Sequence, residues 1–318
     1  MQLIRSIHNL SAKQAEFSSG SVVAIGNFDG VHLGHQQILN RLIEQARTLN
    51  LPTVLVLFEP QPKEFFAKKH HFSAPARLMR LRDKLHQFQQ LQIDYVLCIR
   101  FSKAFADLSP NEFIQKILVN GLNLKYLSIG DDFRFGANRA GCFETLQQAG
   151  ERFGFQVENS ITHCLSETRI SSSAVRDALD KDDLRLATQL LGKPYAIRGR
   201  VAHGNKLGRT IGFPTANIML NRLVTPIQGV FAVEVETPNG LFQGIANVGN
   251  RPTINGTKPL LEVHLFDFAH QIYGKSIEVR FLKKIRSEIK FESFELLKQQ
   301  IENDVIEAKT YFRHTLHL

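Results

Sequence analysis

Through the first half of the chain, short apolar runs alternate with stretches in which apolar positions recur at intervals of three and four. Val22 to Ile25, Thr53 to Phe58, Tyr95 to Ile99 and Tyr126 to Ile129 are continuous aliphatic and aromatic runs, the pattern of strands buried on both faces. Helical spacing follows from Gly34 to Leu49, around Leu78 to Leu91, and from Pro110 to Val119, where Ser109 stands as cap and Pro110 at the first helical position. Strand and helix in alternation predict a parallel sheet covered on both faces. Ligands of such sheets lie at the carboxyl ends of the strands, so the loops that follow each strand carry the chemistry.

The texture changes after the charged break Asp180 to Asp183, so we place the domain boundary there, with one domain over 1–182 and a second over 183–318. A short helix, Leu184 to Leu191, precedes six strand-like runs with little helix between them: Tyr195 to Val201, Thr215 to Leu220, Val230 to Val235, Phe242 to Val248, Leu261 to Phe266 and Ile277 to Leu282. Gly, Pro and Asn turns join them, which predicts a small six-stranded antiparallel β-barrel. The tail spaces Phe294, Leu297, Ile301, Val305, Ala308 and Phe312 by threes and fours, an amphipathic helix whose apolar stripe packs on that barrel.

The chain has 318 residues, 43% of them hydrophobic, enough for two globular cores. Its formal charge of +9 is spread along the sequence, which suits polyphosphate substrates and gives no concentrated nucleic-acid patch. Cys98, Cys142 and Cys164 form no CxxC pair, so neither a disulfide framework nor a zinc site is indicated and a reducing cytoplasm is expected. Met1 to His8 lack the apolar core of a signal peptide, and no stretch reaches the ~18 apolar residues of a membrane helix. A soluble protein without membrane contact follows.

Candidate chemistry begins where the first strand ends. Gly26-Asn27-Phe28-Asp29-Gly30 permits a tight turn, and Gly34-His35 opens a helix whose unpaired N–H groups and positive dipole end would bind an anion. His32 and His35, three apart, share one face of that first turn, and each can donate an N–H to a phosphate oxygen. The complete string Gly26 to His35 resembles the GxFDGxHxGH signature of the nucleotidyltransferase half of bacterial bifunctional riboflavin kinase/FAD synthetases, which implies a Rossmann-like nucleotidyltransferase domain. Phe58-Glu-Pro-Gln-Pro62 looks like that family's F-x-P-x-P segment, a rigid loop. Gly130 to Gly136 resembles its G-x-D-F-x-F-G segment, in which Phe133 and Phe135 would stack on the flavin ring and Asp132 orient a ribose or a metal. Ile170-Ser171-Ser172-Ser173 with Arg176 looks like its ISSTxIR element, with serine for the usual threonine. It reads as a serine-capped helix start, and Arg176 would bring a positive fork to the triphosphate.

The second half carries its own signature, His203 to Asn217. Gly204, Gly208 and Gly212 would form a mobile loop whose backbone N–H groups cover phosphates. Glycine spacing, Arg209 and the strand after Phe213-Pro214 exclude a P-loop. The segment resembles the riboflavin kinase flap and its Pro-Thr-Ala-Asn element, which implies that Thr215 and Asn217 hold Mg²⁺ between the phosphates of ATP. In Leu261 to Phe268, Glu262, His264 and Phe266 share one strand face. The family's catalytic glutamate stands at Glu262, with His264 and Asp267 as rivals for the general base. Arg286 falls where the family places an arginine beside the flavin, in a segment that departs from the FLRxExKF spelling.

By resemblance over nearly the whole chain, riboflavin and ATP would give FMN in the C-terminal half, and FMN and a second ATP would give FAD and pyrophosphate in the N-terminal half. Two other classes stand beside this. The HxGH turn also occurs in class I aminoacyl-tRNA synthetases, which would make an RNA-modifying nucleotidyltransferase, although no lysine-rich second signature accompanies it. A flavin-binding regulator without turnover is the third.

Overall fold

The computed structural model describes residues 1–160, 164–165, 168–202, 212–220, 224–253 and 256–315. By internal contacts the chain divides into two compact units, Met1–Pro75 with Arg80–Ser171, and Ala76–Met79 with Ser172–Leu318.

In the first unit β1 (Gln2–Arg5), β2 (Ser21–Ile25), β3 (Thr53–Glu59), β4 (Tyr95–Arg100), β5 (Leu124–Gly130) and β6 (Gln156–Ser160) form one sheet. Its order is β1-β4-β3-β2-β5-β6 and every pair is parallel. Helices α1 (Leu33–Leu49), α2 (Pro62–His70), α3 (Leu81–Gln90), α4 (Lys103–Ala106), α5 (Pro110–Phe113) and α6 (Phe143–Phe153) connect the strands. All five residues of β2 are buried, as a central strand of such a sheet requires. The chain runs outward from β2 through β3 and β4 on one side, and continues through β5 and β6 on the other. That reversal makes the β2/β5 junction the topological switch point, where a crevice opens beyond the strand ends.

Local chemistry explains most boundaries. Ser109 caps α5, accepting from the N–H of Glu112 at 3.2 Å while Glu112 accepts from the Ser109 N–H at 3.0 Å. Beyond Phe113 the helix widens to a π-turn geometry over Ile114–Val119 in place of the continuous α-helix expected to Val119. The segment expected as a rigid loop through Pro62 is shorter than that. Pro62 occupies the first position of α2, and Glu64 accepts from the backbone N–H of Gln61 at 3.0 Å to hold the helix start. The short strands β1 and β6 have no counterpart in the sequence pattern, because both lie at the sheet edges and hold too few apolar residues, Leu3 and Ile4 in one and Val157 in the other, to form a buried run.

In the second unit α7 (Ser172–Asp180) and α8 (Leu184–Leu191) precede a closed barrel. The small hairpin β7 (Cys164–Leu165) and β8 (Thr168–Arg169) stands before them. The barrel strands are β9 (Ala196–Ala202), β10 (Ala216–Met219), β11 (Gly229–Thr237), β12 (Gly240–Thr253), β13 (Gly256–Leu265) and β14 (Ser276–Arg286), in the order β10-β13-β12-β11-β14-β9 with every described pairing antiparallel. Ala216, Ile218, Ala246, Val248, Leu261 and Val263 are buried in the barrel, and Phe231 packs edge-on to Phe281 at 5.3 Å between centroids. The barrel is therefore filled with side chains.

The tail helix α9 (Phe294–Thr315) lies on the outside of the barrel, where Ala308 and Phe312 bury against Ala232, Ile245 and Phe266. Asp304, 2% exposed, anchors it by accepting from Nε and Nη2 of Arg286 at 2.9 and 2.8 Å and from Gln300 at 3.0 Å. Removing one partner of such a pair strands the other charge. Asp304→Ala is therefore expected to destabilise the barrel by about 3 kcal/mol, measured as faster hydrogen exchange of barrel amides in urea.

Candidate active site

The turn that leaves β2 is distorted backbone. Within six residues Phe28, Gly30 and Val31 all take positive φ, at 46°, 84° and 43°. For glycine this is free, but for phenylalanine and a β-branched valine it costs of order 1–3 kcal/mol each, and such strain persists only where its surroundings enforce it. They do so here. The Gly26 N–H reaches Val56 O at 3.2 Å, the Val31 N–H reaches Phe28 O at 3.3 Å, and Gln36 Nε2 donates to Val31 O at 2.9 Å. The Phe28 ring is buried against Phe88, and Lys84 Nζ donates to Asn27 O at 2.9 Å.

The turn delivers the chain to α1 with His32 as the cap. Its Nδ1 accepts from the His35 backbone N–H at 3.3 Å, so in neutral His32 the ring proton is on Nε2. His32 thus precedes the first helical turn in which we expected it. The two imidazoles still share one face, stacked at 3.6 Å between centroids and 18° between planes. Gly34 eases this approach, since a β-carbon there would stand 3.3 Å from the His32 ring, a tight contact, and 3.5 Å from Ile170 O. Burial holds the His35 imidazolium well below its ordinary range, with His32 and Lys84 adding to the effect. His35 Nδ1 and Asn27 Oδ1 are buried and bond to nothing among the described residues, and Asp29 is 1% exposed. Buried polar atoms of this kind signal an absent partner.

Across the switch point, β5 ends at Gly130 and turns through a Phe133 N–H to Gly130 O bond of 3.1 Å. Asp131 pairs with Arg169 at 2.6 Å, while Asp132 lies 3.9 Å from the same guanidinium with its side chain 82% exposed. Phe133 and Phe135 stack at 5.6 Å, but Phe135 is also buried against Phe113 and bridges backbone to backbone with Gly141. Of the pair only Phe133 has a half-open face. A further aromatic group went unnoticed in the sequence: Phe58, Phe65, Phe66, Phe101 and Phe105 contact one another beyond the ends of β3 and β4. The signal was available, because Phe58 and Phe101 stand at strand ends.

Ser171 falls in the first unit, while Ser172 and Arg176 begin α7 of the second. Arg176 Nε donates to Ala76 O at 2.6 Å within that second unit. On the barrel, strand register builds a row that no single segment reveals. Glu262 of β13 pairs with Asn217 of β10 on one side and Asn247 of β12 on the other, so the three side chains share a face with β-carbons about 5 Å apart. Asn217 is 9% exposed and donates Nδ2 weakly to Thr215 O at 3.4 Å, and Asn247 Oδ1 is buried without a partner among the described residues.

Of the rival bases, His264 is tied by Nδ1 to Pro214 O at 3.0 Å and held neutral by burial, and Asp267 is exposed past the strand end. A pocket of about 360 Å³ opens beside Pro214, Thr215 and Ala216, closed behind by Leu265, Phe268 and Tyr273. Gly212 takes φ 87° with open space around it; Gly204 and Gly208 lie outside the described residues. All three guanidinium nitrogens of Arg286 donate, two to Asp304 and one to Ser287 O, so it serves the tail helix rather than an open surface. Among the described residues no cluster of three or more His, Cys, Asp or Glu is arranged for a metal.

A helix start with buried polar atoms in one unit, and a row of oxygen-bearing side chains across three strands in the other, are two separate sites of the kind a nucleotide-using transferase with two centres needs. A family model described as FAD synthetase matches residues 14–174, and one described as riboflavin kinase matches 191–312. The bifunctional riboflavin kinase/FMN adenylyltransferase of Haemophilus influenzae is 56% identical over 98% of this chain and 99% of its own length, and that of Escherichia coli K12 is 52% identical over 98% of each. A crystal structure described as a macrolide-efflux protein from Streptococcus pneumoniae shares the fold, with a TM-score of 0.75 and 30% identity over 91% of this chain and 94% of that one. The chain belongs to the bifunctional riboflavin kinase/FMN adenylyltransferase family. No helix among the described residues is long and apolar enough to cross a membrane.

The histidine pair makes a solution test of the cradle. The unfolded chain protonates His35 below about pH 6.5 while the folded unit resists. The stability this contributes is whole above that pH and is lost as the pH falls toward the depressed folded value. The unfolding midpoint of the first unit should therefore drop on acidification below about pH 6.5, and drop less steeply in His35→Gln, as read by thermal melts across a pH series.

Proposed function

We propose that each unit carries one of the family's two reactions. In the barrel, riboflavin and ATP give FMN and ADP; in the parallel-sheet unit, FMN and a second ATP give FAD and pyrophosphate. The sequence boundary puts adenylylation in 1–182 and phosphorylation in 183–318, whereas by internal contacts the first unit closes at Ser171 and α7 folds with the barrel. The observation that carries it is the paired placement of buried, partnerless polar atoms, Asn27 Oδ1 and His35 Nδ1 in one unit and Asn247 Oδ1 in the other. The similarities run to flavin enzymes and do not favour the RNA-modifying reading.

In the barrel Glu262 is the general base. It takes the proton of the ribityl 5′-hydroxyl as that oxygen attacks the γ-phosphorus and ADP leaves. The Thr215 hydroxyl and the Asn217 amide oxygen are hard donors suited to Mg²⁺ shared with the nucleotide, which supplies charge neutralisation when bound. Two protein ligands suffice for a cation that keeps its waters. Gly204, Gly208 and Gly212 cover the phosphates, and the pocket behind Thr215 takes the base.

In the sheet unit the nucleophile is a phosphate oxygen of FMN, already an anion, so no base is needed. It bonds to the α-phosphorus of ATP as the bond to the pyrophosphate breaks. His32 Nε2 and His35 donate to the developing charge, together with the N–H groups at the start of α1. Gly26, Asn27, Phe28, Asp29, Gly30 and Gly34 shape that cradle; nucleotide contacts by Ser171, Ser172 and Arg176 are implied by the resemblance alone, and Ser172 and Arg176 fold with the second unit. The flavin ring lies on the aromatic group beyond β3, β4 and β5, with Phe133 as a face, Phe135 as its support and Asp132 at the rim. Arg286, which the resemblance sets beside the flavin, holds α9 on the barrel through Asp304. The reactions place the protein in the cytoplasm, where ATP is supplied.

Chromatography of products from riboflavin, ATP and Mg²⁺ tests the assignment. Glu262→Gln should lose FMN formation yet convert supplied FMN to FAD. His32→Ala with His35→Ala should make FMN and no FAD, a loss of at least roughly 10²–10³ in rate for the second step. Loss of both activities in both variants would overturn the division of labour.

A further inference from the structure

Lys84 of α3 is the one lysine among the largest fully buried side chains, at 0% exposure. A charged amine is rarely placed there, because burying an ammonium costs several kcal/mol and an apolar residue of similar volume fills a core as well or better. Its Nζ donates at 2.9 Å to the carbonyl of Asn27, the residue that opens the strained turn and whose own side-chain oxygen lacks a partner. Four residues on, Phe88 packs edge-on to Phe28 at 5.9 Å. One face of α3 thus grips the turn twice, once by charge and once by an aromatic edge.

We infer that Lys84 is a positioning residue for adenylyl transfer: it pins the Asn27 carbonyl and keeps a fixed positive charge behind the cradle that receives the departing pyrophosphate. A hydrogen bond from an ammonium is stronger than one from a neutral donor, so it suits a turn that holds Phe28 and Val31 at positive φ. The same charge joins the positive end of α1, and in a buried setting it is felt at longer range than in water. Its reach to the neighbouring imidazole is visible in the lowered basicity of His35. An arriving polyphosphate is attracted by all three, and the leaving pyrophosphate, which gains charge as its bond breaks, most of all. The inference rests on the cradle being the adenylylation centre.

Lys84→Met and Lys84→Gln in the full chain separate the two effects, since glutamine keeps a donor for Asn27 and loses the charge. FAD formation at varied FMN, with inorganic pyrophosphate as inhibitor, is the assay; a thermal melt of the same samples reports folding of the sheet unit, and riboflavin phosphorylation reports folding of the barrel. Both variants should keep FMN formation within about twofold, and Lys84→Met should lose roughly a hundredfold in kcat for FAD formation. KM for FMN should stay within about twofold, and pyrophosphate inhibition should weaken about tenfold in both. A filler role predicts unchanged pyrophosphate inhibition, and that result, or wild-type kcat in Lys84→Met, overturns the inference. If His32→Ala with His35→Ala stops FAD formation while both Lys84 variants stay normal, only the role of Lys84 fails. If the histidine variant forms FAD at the wild-type rate, the cradle itself is misassigned.

Discussion

One turn of backbone, from Gly26 to His32, sets the geometry on which the first unit depends. It must reverse the chain within a few residues so that the free N–H groups of α1 face the crevice at the sheet's switch point. That reversal forces a phenylalanine and a valine into left-handed conformation, a cost the unit meets with buried partners on β3, α1 and α3. His32 belongs to both halves of the device. As a cap it satisfies one helix donor, and its imidazole stacks on that of His35.

The barrel solves the same problem by register. Three strands distant in sequence bring Asn217, Glu262 and Asn247 side by side, and closure of the sheet fixes their spacing without any strained residue. The first centre is thus made by a local motif under tension and the second by long-range pairing at rest. This difference decides which parts could be read from sequence.

The four buried strands, the six barrel strands, the tail helix and the GxFDGxHxGH turn were legible because each is written in contiguous residues with a clear period. What escaped notice was non-local or disguised. The edge strands β1 and β6 carry too much polarity to stand out, and α2 begins at a proline that equally reads as a loop. Lys84 sits in a polar stretch of α3 where a lysine would ordinarily face water, and only packing shows it turned inward. Asn247 acquires meaning from its neighbour across β12 and β13, and Phe135 was read as a ligand platform although its ring is committed to Phe113. Arg286 likewise resembled a substrate contact by spelling, whereas its partner lies eighteen residues downstream on α9.

The barrel's residues divide cleanly by direction. Those pointing inward fill it, and those of the catalytic row point out from the wall. Under the assignment proposed for Glu262, the chemistry of this unit lies on a wall face that can mutate without disturbing the interior that folds it. An engineer altering the proposed phosphorylation step can vary that outer face before foldedness is at stake, whereas changes in the pocket beside Thr215, lined in part by Ala216 and Val263, also touch the interior.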